Sequence, residues 1–206
     1  MIFSNILIYF VVIPLLMLGC LFLCRNMKQI RTVAVVGSTA LVALAVYLVV
    51  DFCQLRAAGA DDIMLYQGSW MWFEPLNIHL AVGVDGISVA MLLLSAIIVF
   101  AGSFASWKIN PLPKDFFLWL ILLSTGVFGF FISIDLFTMF MFYEVALIPM
   151  YLLIGLWGTG RKEYSAMKLT LMLMGGSAFL LLGILGIYYH CLLYTSDAAD
   201  DLLCVD

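Results

Sequence analysis

The residues best suited to chemistry lie in one apolar run, residues 137–158. This run contains one carboxylate, Glu144, at a depth where an ionised side chain costs at least ~2.5–3.5 kcal/mol. Five positions later, Pro149 lacks a backbone N–H, so the carbonyl of Val145 loses its usual helical hydrogen-bond partner. The nearest polar side chain on the helical face of Glu144 is Tyr151, two turns along, which makes Tyr151 a candidate proton relay.

The chemistry that suits such a carboxyl group is reversible proton binding. Removal from water favours the protonated form and a nearby cation favours the ionised form, so the movement of a lysine or the admission of water can load and unload a proton. The structural alternative is an acid that stays protonated or hydrogen-bonded and holds helices together. Other chemistries lack support, because the sequence has no glycine-rich phosphate loop after a strand, no metal-ligand spacing and only scattered cysteines.

The composition identifies the element that must position this acid as a membrane-spanning helix. Of the 206 residues, 66% are hydrophobic and only 11% are charged, whereas charged residues make up about a quarter of a soluble domain. We therefore predict an all-α, polytopic membrane helix bundle with its N-terminus outside. The six predicted transmembrane helices are about 3–24, 32–50, 86–107, 116–134, 136–157 and 165–190.

The long connection between the second and third helices runs from Asp51 to Asp85 and is rich in acids and in aromatic residues that suit a membrane interface. Apolar and polar residues alternate near its end, which predicts a short strand over 78–84. Within that strand, His79 is expected to be an exposed residue and no ligand. Asp85 is predicted to be the N-cap of the third helix, and its functional alternative is a proton acceptor on the exit side.

The distribution of Lys and Arg supports this topology. Six spans with the N-terminus outside place eight of the nine basic residues on one side of the membrane and only Arg56 on the other. The eight are Arg25, Lys28, Arg31, Lys108, Lys114, Arg161, Lys162 and Lys168. The first three are expected to form a basic turn between the first two helices.

Asp135 alone separates the fourth and fifth predicted helices, so these two helices are expected to form an antiparallel hairpin. The aspartate itself is expected to be a solvated turn residue and N-cap. Its functional alternative is a proton acceptor on the exit side.

Lys168 lies about one turn inside the sixth helix and is expected to extend its ammonium group towards the lipid headgroups. The alternative is a role in proton transfer with Glu144. Helix rise and bilayer thickness separate the two by roughly 12 Å in height, so no direct ion pair is expected. Contact through Tyr151 and trapped water is the remaining route.

Two stretches resemble a known family. The segment Phe142-Tyr-Glu144-Val-Ala-Leu-Ile-Pro149, which continues to Trp157-Gly158, and the segment Gly83-Val-Asp85-Gly86-Ile-Ser88 resemble the M-type (chain 4) membrane subunit of proton-pumping NADH–quinone oxidoreductase, respiratory complex I. The resemblance implies an antiporter-like subunit in which Glu144 is a key proton-translocation residue. Flavin, Fe–S clusters and quinone are then expected on partner subunits, and no cofactor or metal on this chain.

The resemblance also implies that this chain is the N-terminal part of a subunit of about fourteen helices, without the lysine of the broken seventh helix that partners the acid in the family. Residues 1–190 are predicted to form the transmembrane, antiporter-like domain. Residues 191–206 depart from the membrane pattern and are predicted to be a foreign or frame-shifted end.

Three functions remain open at this point. The leading hypothesis is a proton-translocating subunit of NADH–quinone oxidoreductase, a translocase, and the alternatives are a subunit of a multi-subunit cation/proton antiporter and a non-catalytic structural membrane subunit. The expected partners are other complex I membrane subunits, the lipid bilayer, protons and water, with no nucleic acid. The expected location is the bacterial inner membrane.

Overall fold

The computed structural model describes residues 6–24, 26–58, 64–73, 78–109 and 112–202. Its helices are α1 (Tyr9–Leu23), α2 (Met27–Ala57), α3 (Gly86–Ala105), α4 (Pro113–Ile132), α5 (Leu136–Trp157) and α6 (Lys162–Leu202). Its strands are β1 (Leu65–Phe73) and β2 (Ile78–Val84). Six helices in the described part of the chain are long and apolar enough to cross a membrane, which confirms the predicted polytopic helix bundle.

The helices pack mainly with their neighbours around α4, which contacts α1, α3 and α5, while α2 packs on α1 and α3. The shared core contains fully buried aromatic and aliphatic side chains, and the rings of Phe10 on α1 and Phe128 on α4 lie 5.6 Å apart. Among the described residues, the last helix, α6, packs mainly against α5. The described side chains of α6 are largely uncovered, as Phe179 shows with 77% exposure.

The second helix is longer than predicted at both ends. It covers Met27–Ala57 and not 32–50. The prediction of a basic turn is therefore wrong for Lys28 and Arg31, because both lie in the first turns of α2. Arg25 lies outside the described residues. The physical reason is that Met, Lys, Gln and Arg are good helix formers, so a helix continues beyond its apolar span without a penalty. Likewise, Asp51 lies inside α2 and not in the connection.

The sixth helix also extends past its predicted bounds, with an apolar portion from Lys162 to Ile187. Its backbone remains helical through Leu202, so the predicted tail does not begin with a break in the helix. Residues 203–206 and the side chains of 191–202 lie outside what the structure describes. The foreign or frame-shifted origin of this tail stays a prediction.

The predicted strand over 78–84 is confirmed as β2, whereas the sequence did not predict its antiparallel partner β1. Irregular register between Leu65 and Gly68 interrupts the alternation by which a strand is recognised, and Tyr66 has the left-handed φ of 58°. His79 pairs with Met71 through the backbone, while the predicted exposure of its side chain lies outside the described residues.

The hairpin formed by β1 and β2 is fastened to the helix bundle at two points. The hydroxyl of Tyr66 donates a hydrogen bond to the Asp51 carboxylate at the end of α2, and burial together with this hydrogen bond raises the pKa of Tyr66. The backbone N–H of Ile134, between α4 and α5, donates to the carbonyl of Ala81 at 2.9 Å. A Cβ at Gly83 would lie 2.6 Å from Cδ1 of Ile134, so a larger residue there would displace the end of this side chain.

These attachments define the two ends of the bundle. The end that holds the hairpin, the start of α3 and the α4–α5 turn is here named the hairpin face. The opposite end holds the α1–α2, α3–α4 and α5–α6 connections and is named the cationic face. Two lysines there cap helix C-termini: Lys114 Nζ donates to the carbonyl of Cys24 at 2.9 Å, and Lys162 Nζ to that of Leu156 at 2.8 Å.

Candidate functional site

Helix α5 carries the candidate acid and is anchored first at its N-terminus. Oδ2 of Asp135 accepts hydrogen bonds from the backbone N–H groups of Phe137 at 3.1 Å and Thr138 at 3.0 Å. The hydroxyl of Thr138 donates to the same oxygen at 3.3 Å. These contacts satisfy N–H groups that the first helical turn leaves without partners and confirm the predicted N-cap.

The second anchor of α5 is a close contact with α4 at two glycines. A Cβ at Gly126 would lie 2.9 Å from the backbone nitrogen of Ala146 and 3.0 Å from the carbonyl oxygen of Phe142. One turn later on α4, Gly129 leaves room for the ring of Phe142. The two helices therefore meet almost backbone to backbone on both sides of Glu144, as small residues permit between membrane helices, and the predicted antiparallel hairpin is confirmed.

Glu144 lies on the face of α5 that is turned away from this contact. It is two residues from both Phe142 and Ala146, which is about 200° around the helix. Gly155 is eleven residues further along α5 than Glu144, which places it at nearly the same angle around the helix axis. Gly155 faces Ala166 of α6, because a Cβ built on the glycine would lie 3.8 Å from the Ala166 Cβ. The carboxylate thus lies on the side of α5 that faces α6.

The carboxyl group of Glu144 is only partly satisfied. Its side chain is half-buried, and Oε1 is fully buried with no hydrogen-bond partner among the described residues. Buried polar atoms in proteins are nearly always hydrogen-bonded, and an unpaired atom usually indicates water or a functional group that binds in turn. The Oε1 atom of Glu144 is therefore a free acceptor to which a polar group or a water molecule could bind.

Pro149 is buried in the middle of an uninterrupted α5, so the carbonyl of Val145 cannot receive the helical hydrogen bond from residue 149. Tyr151 is 39% exposed. No hydrogen bond joins Tyr151 to Glu144 in the part of the chain that the structure describes. The predicted relay through Tyr151 therefore requires water, and it stays a prediction.

Lys168 lies apart from the acid. It is exposed, and it is two residues from Ala166, the buried residue by which α6 packs on α5. Positions two apart occupy opposite sides of a helix, so Lys168 lies on the uncovered side of α6 together with Gly175, which has open space around it. The described residues contain no Lys168–Glu144 ion pair, and a role of Lys168 in proton transfer stays a prediction.

Asp85 is the N-cap of α3, as predicted. Its Oδ1 accepts a hydrogen bond from the backbone N–H of Ser88 at 2.8 Å. Hydrogen bonds from the hydroxyl and the N–H of Ser88 hold the pKa of Asp85 below its ordinary value. Because the folded-state pKa is lowered, the contribution of this cap to stability is present above the unfolded-state pKa and is lost as the pH falls through the folded-state value.

Sequence reasoning did not identify Gly126 and Gly129 as the residues that position α5. Their spacing of three within an apolar helix was the available signal, because such a spacing places small residues on one helical face. It could not indicate which helix they contact. Among the described residues, no group of three or more His, Cys, Asp and Glu side chains is placed to hold a metal ion.

The fold and the site together define an integral, multi-pass membrane protein with an ionisable group inside its helix bundle. Residues 133–192, which include α5 and most of α6, match the family described as "NADH:quinone oxidoreductase/Mrp antiporter, TM". This segment is therefore similar to membrane subunits of that oxidoreductase and antiporter family.

Curated relatives agree with this match. The chain is 36% identical over 126 residues to NAD(P)H-quinone oxidoreductase chain 4 of Agrostis stolonifera chloroplasts, covering 61% of this chain and 25% of the relative. It is 37% identical over 119 residues to NAD(P)H-quinone oxidoreductase chain 4 3 of a Picosynechococcus strain, covering 58% of this chain and 22% of the relative. The chain thus spans about a quarter of the length of these relatives. The predicted resemblance to chain 4 is confirmed, and the partial coverage is consistent with its N-terminal part.

Two solved structures share the fold. Respiratory complex I from Thermus thermophilus with bound NADH matches with a TM-score of 0.70 and 22% identity, covering 87% of this chain and 35% of that chain. The membrane-bound sulfane sulfur reductase, an archaeal respiratory membrane complex, matches with a TM-score of 0.70 and 21% identity, covering 89% of this chain and 37% of that chain. At these identities, both comparisons show that the chain shares the fold of the matched proteins.

Proposed function

We propose that this chain is part of a proton-translocating membrane subunit of NADH–quinone oxidoreductase, in which Glu144 takes up and gives up a proton in response to quinone chemistry on other subunits. The observation that carries the proposal is the buried Oε1 of Glu144, which has no hydrogen-bond partner in the described residues. It lies within the segment that matches the oxidoreductase and antiporter family. The proposed partners are other membrane subunits of the complex, the lipid bilayer, protons and water, and the proposed location is a bacterial inner membrane.

The geometry supports a switchable proton site. The contacts of the α4 glycines hold α5 from one side, and the Asp135 cap holds its N-terminal end. Glu144 lies on the other side of α5 and faces α6. Pro149 leaves one backbone carbonyl near the acid without its helical donor, which provides an acceptor for a water molecule. An approaching cation or water would favour the ionised acid, and their withdrawal would favour the protonated acid.

The other candidate residues have secondary roles in this proposal. Tyr151 would relay protons through water on the same face of α5, and Asp135 would accept protons at the hairpin face. Lys168 lies on the uncovered side of α6, so it would take part in proton transfer only through water or through partner residues that reach that side. Flavin, Fe–S clusters and quinone are proposed for partner subunits, so electrons would not pass through this chain.

The test is Glu144→Gln in the intact complex. Glutamine keeps the size and a hydrogen-bonding group of glutamate but cannot release a proton. We expect NADH-driven proton movement across membrane vesicles to fall by roughly tenfold or more, with the complex still assembled, as measured by a pH-sensitive dye and by native electrophoresis.

Glu163→Gln is the matched control, because Glu163 is an exposed acid in the first turn of α6 and undergoes the same chemical change. It should leave proton movement unchanged. Normal proton movement by the Glu144 variant would contradict the proposed role of the acid and favour a non-catalytic, structural subunit.

A second candidate function is a subunit of a multi-subunit cation/proton antiporter, because the description of the matched family includes Mrp antiporters. Co-purification distinguishes the two. A subunit of the oxidoreductase should purify with proteins that show flavin absorbance and Fe–S paramagnetic resonance signals. Purification with membrane subunits that carry neither signal would favour the antiporter.

A further inference from the structure

The cationic face contains an arginine whose charge is not balanced by any described residue. Arg31, in the second turn of α2, is half-buried, and its Nε is buried without a hydrogen-bond partner. No salt bridge joins Arg31 to a carboxylate in the described ranges. By contrast, Lys114 and Lys162 on the same face donate to helix carbonyls.

Arg31 stands at the end of a row of aromatic rings on α3 and on the short 3₁₀ turn Ser106–Lys108 that follows it. The Cζ of Arg31 lies 5.4 Å from the ring centroid of Trp107. Trp107 stacks on Phe104 with 6.3 Å between centroids, and Phe104 contacts Phe100 at 4.8 Å. We name Phe100, Phe104 and Trp107 the aromatic row.

The aromatic row is accessible and extends into the membrane-spanning region. Trp107 is 41% exposed and Phe104 is 46% exposed. Seven residues separate Phe100 from Trp107, so the row covers about 10 Å along the helix axis. One end therefore carries a positive charge at the level of the headgroups, and the rest is an apolar surface at the level of the acyl chains.

We propose that Arg31 and the aromatic row bind an anionic phospholipid of the cytoplasmic leaflet. Positive charge is concentrated on cytoplasmic loops of membrane proteins, which places the cationic face in that leaflet. The guanidinium group binds the headgroup phosphate, for which its planar set of donors is well matched. The acyl chain lies along Phe104 and Phe100, and Lys28, an exposed cation one turn before Arg31, adds attraction for the headgroup.

The occupant is identified by its chemistry. An arginine without a carboxylate partner is suited to bind an anion, and the apolar row beside it is suited to contact a hydrocarbon chain. A phospholipid with a net negative charge offers both groups in one molecule. This proposal is independent of the proposed proton role of Glu144, which lies on α5.

The experiment is a lipid titration of the purified full chain in neutral detergent, followed by native mass spectrometry. The probes are phosphatidylglycerol and phosphatidylcholine with identical acyl chains, and inorganic phosphate alone. The wild-type chain should bind phosphatidylglycerol more tightly than phosphatidylcholine. Removal of one positive charge near the surface by Arg31→Gln should weaken phosphatidylglycerol binding by about fivefold and leave phosphatidylcholine binding unchanged.

Two further variants make the result specific. Arg161→Gln removes a positive charge from an exposed position of the same face, in the α5–α6 connection, and should not change the lipid preference. Arg31→Lys retains the positive charge and should keep most of the preference for phosphatidylglycerol. Helical circular dichroism equal to that of the wild type verifies that each variant is folded.

A direct contact is tested with phosphatidylglycerol that carries bromine on its acyl chains. Bromine quenches nearby tryptophan, so the quenched fraction should be larger for the wild type than for Trp107→Phe. Equal quenching would overturn the placement of the acyl chain on the aromatic row.

Other outcomes would overturn the proposal as a whole. If Arg31→Gln and Arg161→Gln weaken phosphatidylglycerol binding equally, the cationic face attracts anionic lipids by its overall charge and has no specific binding site. If millimolar inorganic phosphate displaces the bound lipid, the site recognises soluble phosphate. If a partner subunit in the intact complex supplies a carboxylate to Arg31 and no lipid is retained there, the row is a protein interface.

Discussion

At the residue scale, the position of a carboxylate along its helix decides what the carboxylate does. Asp85 and Asp135 stand directly before helices, where their oxygens accept the free N–H groups of the first turn. Glu144 lies eight residues inside α5, where the backbone N–H groups are already used by the helix itself. Its buried oxygen therefore has no local donor, and this difference makes it the candidate for proton chemistry.

The two roles considered for Asp135 can be separated by a pair of substitutions. Asn is as good an N-cap as Asp, whereas replacement by Ala costs about 1 kcal/mol. We expect Asp135→Ala to lower the unfolding temperature of the chain in detergent by about 2–4 °C and Asp135→Asn to leave it unchanged. Thermal unfolding followed by circular dichroism measures both.

The same Asp135→Asn variant tests the role in proton transfer, since it keeps the cap but has no ionisable group. If Asp135 accepts protons on the exit side, the intact complex with this variant should move protons more slowly. Proton movement at the wild-type rate would leave Asp135 with the capping role alone.

At the element scale, the arrangement of α5 results from contacts on two of its faces. Gly126 and Gly129 allow α4 to approach the backbone of α5, and the opposite face of α5 carries Glu144 and packs on α6. Because the α4 contact is between backbones, it fixes the rotation of α5 about its own axis more strictly than flexible side chains could. The direction in which Glu144 points depends on that rotation.

Gly126→Ala should therefore destabilise the α4–α5 pair. The added Cβ would meet backbone atoms of α5 at 2.9–3.0 Å, which cannot be relieved by a side-chain rotation, and overpacking of this kind costs about 1–3 kcal/mol. The unfolding temperature in detergent should fall accordingly. Gly19→Ala on α1 is the matched control, because nothing lies within 4 Å of a Cβ at Gly19. An equal unfolding temperature for both variants would show that α4 and α5 are not in close contact there.

At the scale of the whole molecule, the connections divide between two opposite faces. The β1–β2 hairpin and the α4–α5 turn meet on the hairpin face through the hydrogen bond between Ile134 and Ala81. Lys114 and Lys162 cap helix ends on the cationic face. This separation agrees with the charge distribution in the sequence, where eight of nine basic residues were assigned to one side.

The orientation in the membrane is tested by single cysteines in a cysteine-free background. Gln67→Cys, exposed on the hairpin, should react with a membrane-impermeant maleimide added to intact cells, because the hairpin face is predicted to lie outside. Thr159→Cys, exposed in the α5–α6 connection, should react only after the membrane is opened. Labelling of both from the same side would contradict the assignment of the two faces.

The sequence by itself determined the class of the protein, the number of spans, the charged side and the candidate acid. These are local properties of the chain, which shows long apolar runs, basic loops and one carboxylate in an apolar segment. The carboxylate is easily recognised because burying a charge in a membrane has a high free-energy cost. Local patterns also identified the caps Asp85 and Asp135 and the strand β2.

Only the tertiary structure decided which faces meet. The pairing of β1 with β2, the contact of Gly126 and Gly129 with α5, the placement of Lys168 on the uncovered side of α6 and the contact of Arg31 with Trp107 all depend on contacts between distant segments. Helical periodicity places residues on a common face but does not specify the neighbour of that face. The neighbour is selected by close packing of side chains and backbones throughout the bundle.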